Sequence, residues 1–172
     1  MEIIEDPTIK RRPEIPYVGI RVVTPFRGML GVRDELLSEV RAWTDQTELD
    51  IVDFGFLRLR VIDMRGDMDI EVGVVTRQRS DYSGRVSSGV FPAGRYATLT
   101  YRGVGTGANR ALNEWVRESG VALDRWDVPT GDHFACRYEA YLTDPRVERR
   151  KKQWRIELAF KLSDHASSTR VS

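Results

Sequence analysis

The chain has 172 residues, 41% hydrophobic and 31% charged, and its 27 Lys and Arg against 26 Asp and Glu leave a formal charge of +1. This is the composition of a globular chain long enough to bury a core without staples, and its balance gives no electrostatic reason to expect nucleic acid or an anionic membrane as partner. The single cysteine, Cys136, excludes an internal disulfide. The mixed acidic start lacks a signal-peptide pattern, and no apolar run approaches the ~20 residues that span a bilayer, so the cytoplasm is the expected location.

Residues 1–14, with Pro7 and Pro13, read as a lead-in arm. Tyr17 to Val23 is rich in β-branched residues and stops at Thr24-Pro25, the pattern of a strand. Val32, Leu36, Leu37, Val40 and Trp43 recur at steps of three and four and predict an amphipathic helix. Phe56 to Ile62 and Met68 to Thr76 are predicted strands around the Arg65-Gly66-Asp67 turn. Gln78 to Gly89 reads as a linker, with a short strand available at Val86 to Phe91. The pattern then restarts: a strand at Tyr96 to Arg102, a helix marked by Leu112, Trp115 and Val116 and ended by Gly120, and strands at Phe134 to Leu142 and Trp154 to Leu162. From Ser163 the Ser/Thr-rich residues read as a flexible tail.

The order strand–helix–strand–strand therefore occurs twice, over about 15–77 and 90–162, within one domain of residues 15–162. Tyr17 and Tyr96 hold the same place in the opening strands, and Asp69-Ile70-Glu71-Val72 resembles Arg155-Ile156-Glu157-Leu158 in the closing ones. Each half alone is too small for a good core, so a pseudo-two-fold pair is expected. The predicted fold class is α+β: an antiparallel sheet with two helices on one face and a ligand groove between the halves. Strand alternation assigns Val18, Ile20, Leu57, Leu59, Ile70, Val72, Leu99, Tyr138, Ile156 and Leu158 to the helix face. It assigns Tyr17, Arg58, Arg60, Glu71, Tyr96, Arg137, Glu139, Tyr141 and Glu157 to the other, where the groove is then expected, with Trp154 at its rim.

Glu139 in Arg137-Tyr138-Glu139-Ala140-Tyr141 is the most pointed candidate. A carboxylate beside an aromatic ring receives a cationic aromatic ligand by Coulomb attraction and stacking, and once desolvated it also serves as a general acid or base. Against this stands a plain alternative, in which Arg58, Arg60 and Arg137 pair with the three glutamates on a solvated sheet. Neither a Cys136–His133 thiol site nor a zinc site is expected, because the two residues alternate to opposite faces and metal-ligand spacing is missing. Gly103-Val104-Gly105-Thr106-Gly107 reads as a strand-to-helix connection, and the basic run Arg146 to Lys152 as a solvated turn. No cofactor is expected.

The segments Phe91-Pro92-Ala93-Gly94-Arg95-Tyr96-Ala97, Tyr138-Glu139-Ala140-Tyr141-Leu142-Thr143-Asp144-Pro145 and Met68-Asp69-Ile70-Glu71-Val72 resemble, in this order, motifs of the gyrase-inhibitor-like (GyrI-like) small-molecule-binding, AraC-type effector-binding domains. The resemblance spans roughly residues 15–162. It implies a tandem strand–helix–strand–strand module with an aromatic groove whose glutamate meets lipophilic cations. That role falls on Glu139, and the aromatic role on Tyr141 and Tyr96. It further implies a small organic ligand as partner and, since residues 1–14 are too short for a DNA-binding module, no direct contact with nucleic acid. Two alternatives accompany it: hydrolysis of strained or reactive xenobiotics with Glu139 as acid/base assisted by Tyr141, and inhibition of a topoisomerase through protein contact. The arginines predicted around Glu139 depart from a cation site and leave an anionic or zwitterionic ligand open.

Overall fold

The computed structural model describes residues 1–164. Its elements are β1 (Glu2–Arg12), β2 (Ile15–Pro25), α1 (Met29–Thr47), β3 (Ile51–Ile62), β4 (Asp67–Thr76), β5 (Ser87–Phe91), β6 (Gly94–Arg102), α2 (Gly105–Glu118), β7 (Arg125–Val128), β8 (Gly131–Phe134), β9 (Arg137–Tyr141) and β10 (Arg155–Lys161). The fold is α+β, as the alternation of patterns predicts. Of the tail expected from Ser163, residues 165–172, with His165, lie outside the described residues.

The strands form one antiparallel sheet in the order β1-β6-β10-β9-β3-β4-β2-β5, with the β7–β8 hairpin attached to β3. The central six positions read β6-β10-β9 against β3-β4-β2, a palindrome in the two repeats. The registers make the match residue by residue. Ile20 lies opposite Val72 and Leu99 opposite Leu158, so Tyr17 corresponds to Tyr96 and Glu71 to Glu157. The halves join where β3 pairs with β9, at the pseudo-two-fold axis.

Two elements differ from the sequence reading. Glu2–Arg12, expected as an arm, is a full strand paired with β6, and its counterpart β5 pairs with β2. Each half thus lends its first strand to the other half. The hairpin β7–β8 was also not foreseen; Asp124 and the 125–134 segment carry few apolar residues, and Trp126 is exposed.

This order forces curvature. β1 and β2 stand six strand spacings apart, about 29 Å in a flat sheet, yet only Pro13 and Glu14 separate them, a reach of about 11 Å. The same holds for β5 and β6, joined by Pro92 and Ala93. The sheet must curl until its ends approach. The concave face is filled by Tyr17, Phe56, Phe91, Tyr96, Cys136 and Tyr138, all buried. Phe91 of the edge strand β5 stacks on Tyr138 of the central strand β9 at 3.9 Å between centroids, and Arg12 of β1 donates to the Tyr138 hydroxyl at 2.8 Å. The Gly19–Gly73 cross-strand pair leaves room for the Phe56 ring, since a Cβ at Gly73 would lie 2.9 Å from its Cζ.

The convex face carries α1 and α2 over Val18, Ile20, Leu57, Ile70, Val72, Leu99, Ile156 and Leu158, as alternation predicts. Trp43 and Trp115 pack against this core. Because Phe91 belongs to a core that exists only when the sheet curls, Phe91→Ala is expected to lower stability by about 3–5 kcal/mol in urea unfolding; a loss below about 1 kcal/mol would place the ring on an open surface.

Candidate functional site

The helices do not meet over the centre of the sheet. Between the first turns of α1, the inner face of α2 and the floor made by β9, β10, β6 and β3 lies a cavity of about 1200 Å3. Its floor includes Leu59, Met68, Tyr101, Phe134, Arg137, Glu139 and Ile156. Gly103 turns the chain from β6 into α2 with φ +107, a conformation open to glycine, and so brings the α2 N-terminus to the cavity edge.

Glu139 is part of this floor, on the same face as the helices. That corrects the sequence reading, which put Glu139, Arg137 and Tyr141 on the opposite face and Tyr138 on the helix face. The predicted strand was continuous from Phe134. In the structure Ala135 and Cys136 form a bend between β8 and β9, and the bend shifts the alternation by one residue. Phe134 keeps the helix side, Cys136 and Tyr138 turn into the concave core, and Arg137, Glu139 and Tyr141 turn outward. The ladders confirm the phase: Glu139 lies opposite Leu57 and Leu158, both under the helices.

The remaining candidates separate cleanly. Trp154 lines the cavity. Tyr17, Tyr96, Arg58, Arg60, Glu71 and Glu157 lie on the other face, away from this cavity. The expected solvated ion pairs are instead a buried network there. Tyr17 donates to Glu71 at 2.7 Å, Arg60 binds the same carboxylate at 2.9 Å, and the buried Arg58 donates to the Tyr17 hydroxyl and to the Val90 and Ala135 carbonyls. Glu157 pairs with Arg12 at 2.6 Å, and the Tyr96 hydroxyl donates to the Pro92 carbonyl. Cys136 shares this core, and burial raises its thiol pKa, which suits a small apolar residue. His133 stacks on Trp126 outside it.

A polar chain crosses the cavity floor. Lys151 at the rim pairs with Asp34, Asp34 accepts from Arg33 at 2.8 Å, Arg33 donates to the Tyr141 hydroxyl at 3.3 Å, and Tyr141 donates to Glu139 at 2.9 Å. The Arg33 guanidinium also lies 5.1 Å from the Tyr141 ring centre and 5.8 Å from that of Trp154. Beside Glu139, Arg137 sits 4.0 Å from the centre of the Phe160 ring and donates to the Asn109 side-chain oxygen at 3.1 Å. Arg33, Tyr101 and Asn109 were not singled out from sequence. Arg33 carried a signal, because it falls between Met29 and Leu37 on the buried stripe of α1, where a cation is out of place. Tyr101 and Asn109 carried none that separates them from core and surface positions.

Electrostatically the floor is strained in both directions. Burial raises the Glu139 pKa; the Tyr141 hydrogen bond and the Arg33 and Arg137 charges only partly offset it. Burial lowers that of Arg137 to about 10 despite Glu139 nearby, and raises that of Tyr141, with Glu139 adding to the effect.

A GyrI-like small-molecule-binding domain model matches residues 5–163, and the chain belongs to that family. No curated protein sequence matches it. Among solved structures, EcmrR in complex with DNA superposes with a TM-score of 0.73 at 17% identity; 93% of this chain is covered and it spans 58% of the length of that one. The EcmrR C-terminal domain alone gives 0.70 at 18% identity over 93% of this chain and 98% of the other. SAV2435 bound to tetraphenylphosphonium gives 0.58 at 13% identity, with 95% of each chain covered. At these identities the likeness is one of fold. Among the described residues, no helix is long and apolar enough to cross a membrane.

The raised Glu139 pKa has a consequence for stability. The native state holds the proton more tightly than the unfolded chain, so this contribution favours folding at low pH and is lost as pH rises from the ordinary carboxylate range near 4.5 through the native value. Glu139→Gln is therefore expected to raise the urea midpoint above wild type at pH 8, with the difference closing as pH falls to about 4. A constant difference across that range would show that the carboxylate titrates as in the unfolded chain.

Proposed function

We propose that the protein is a small-molecule-binding module that holds a largely apolar organic molecule in the cavity between α1 and α2, with Glu139 and Tyr141 at the base of the site. The observation that carries this reading is the position of Glu139, the glutamate singled out by the motif resemblance, on the floor of a 1200 Å3 cavity. Ligand pockets of drug-sized molecules occupy about 300–1,000 Å3 and combine apolar walls with a few convergent polar groups. Met68, Leu59, Phe134, Ile156 and Trp154 supply the walls here, and Glu139, Arg137 and Tyr101 the polar groups. The tetraphenylphosphonium found on SAV2435, a bulky lipophilic aromatic compound, supports a ligand of that size and apolarity.

A thermal-shift screen of lipophilic aromatic compounds tests this, since a ligand of the native state raises the midpoint by mass action. Compounds that raise it should lose the effect in Asn113→Trp, where the added ring occupies cavity volume lined by α2. A screen without hits, or hits that survive Asn113→Trp at full strength, would overturn the cavity as the binding site.

One feature favours hydrolysis as a second reading. Tyr141 donates to a carboxyl whose pKa is raised by burial, an arrangement suited to a general acid/base. In that case water attacks the substrate while Glu139 relays the proton. Glu139→Gln is then expected to keep affinity and lose turnover of any compound the protein degrades; equal loss of both marks a binding contact alone.

A further inference from the structure

The charges around the cavity are unequal. Seven basic side chains line it, against the two carboxylates Asp132 and Glu139. Three of the seven have acidic partners: Arg33 and Lys151 bind Asp34, and Arg125 lies 3.7 Å from Asp132 and from Asp127. The other four, Arg27, Arg117, Arg137 and Lys152, have no carboxylate within ion-pair distance among the described residues. Arg137 is the deepest. Among the described residues the only hydrogen-bond partner of its guanidinium is the neutral Asn109, its Nε has none, and although it shares a strand face with Glu139 the two do not form an ion pair. The floor thus presents a carboxylate and a guanidinium side by side, close enough to offset part of each other's burial but not joined in an ion pair.

Two further sources of positive potential point the same way. α1, of 19 residues, and α2, of 14, both start at the cavity edge, where Arg27–Leu30 and Gly103–Thr106 line it. Neither has a side-chain cap on its first N–H groups or an acidic residue in its first turn. At α1 the Met29 and Gly31 N–H groups already bond the Phe26 and Gly28 carbonyls, so it is chiefly the macrodipoles of the two helices that face whatever enters.

Resting on the cavity reading above, we propose that the ligand is an amphipathic organic anion: an apolar, aromatic-sized body with one acidic group. The acidic group is seated by Arg137 opposite the first turn of α2, and the body lies on Met68, Phe134, Ile156 and Trp154. Glu139, two residues along the strand, accepts a hydrogen bond from a donor elsewhere on the ligand. Arg27, Arg117 and Lys152 at the mouth are exposed, so they attract the anion at a distance and their share fades with salt. The preferred ligand charge is opposite in sign to that expected from the glutamate alone, because one unpaired carboxylate is set against four unpaired cations and two helix N-termini.

The test uses three probes of one shape: biphenyl-4-carboxylate, biphenyl-4-methylammonium and neutral biphenyl-4-methanol, titrated into the full chain by calorimetry at low and at 0.5 M salt. The carboxylate is expected to bind at least tenfold more tightly than the ammonium and more tightly than the alcohol, with the margin narrowing at high salt. Arg137→Gln should bring the carboxylate to the level of the alcohol. As Arg137 packs on Phe160, the exposed double variant Arg117→Gln/Lys152→Gln provides a second reading, with a smaller loss confined to low salt. If the alcohol binds and the carboxylate is no better, or if the ammonium is favoured, the charge proposal is overturned while the cavity stands. If no probe binds, the cavity reading falls and the proposal with it.

Discussion

The constraint on which the structure depends is the pair of two-residue connections, Arg12 to Ile15 and Phe91 to Gly94, between strands six places apart in one sheet. A flat sheet cannot satisfy them, so the sheet curls until its ends approach without pairing. Its concave side becomes a second core, packed with tyrosine and phenylalanine. Aromatic rings suit that space because they fill volume with few rotatable bonds, and the tyrosine hydroxyls reach Glu71, Arg12 and the Pro92 carbonyl at its margin. The concave face is therefore filled by the fold, and the large cavity lies on the helix side.

On that side the exchange of first strands matters again. It fixes the two halves around the β3–β9 pairing, so that each helix covers its own half of the sheet. The seam above the axis stays uncovered, and that gap is the cavity. The registers place Glu139 in the second repeat where the first has Leu57, and the two face each other across the axis. A two-fold apolar floor would have left a plain hydrophobic trough. The departure of one residue from the repeat, with Arg137 and Tyr141 on either side of it, gives the cavity its polar centre and its pKa tension. The chain belongs to the GyrI-like small-molecule-binding family and shares its fold with the EcmrR C-terminal domain.

Much of this was legible in the residues. The duplicated strand–helix–strand–strand order, the correspondence of Tyr17 with Tyr96 and of Glu71 with Glu157, and the apolar faces of β2, β3, β4, β6 and β10 follow from periodicity and hold in the ladders. Glu139 was singled out by its motif. What failed was its face, because alternation is counted along an unbroken strand and nothing in Ala135-Cys136 announces a bend. One unpaired residue reversed every side chain of β9. The six residues grouped with Glu139 were set on their true face, opposite the helices, but that face was taken for a groove because its polar content resembles one.

The sequence by itself determined the elements that carry strong local period and the repeat that relates them, since a helix stripe or an alternating strand is a property of neighbouring residues. Only the tertiary structure decided that residues 1–12 form a strand of the other half, that Arg58 and Glu71 are buried with partners rather than solvated, and that Arg33, Arg137 and Glu139 converge at one cavity. These are long-range facts. They depend on which strand edges meet and how far the sheet curls, and both are fixed by chain connectivity between elements that lie up to 126 residues apart, as in the Arg12–Tyr138 bond.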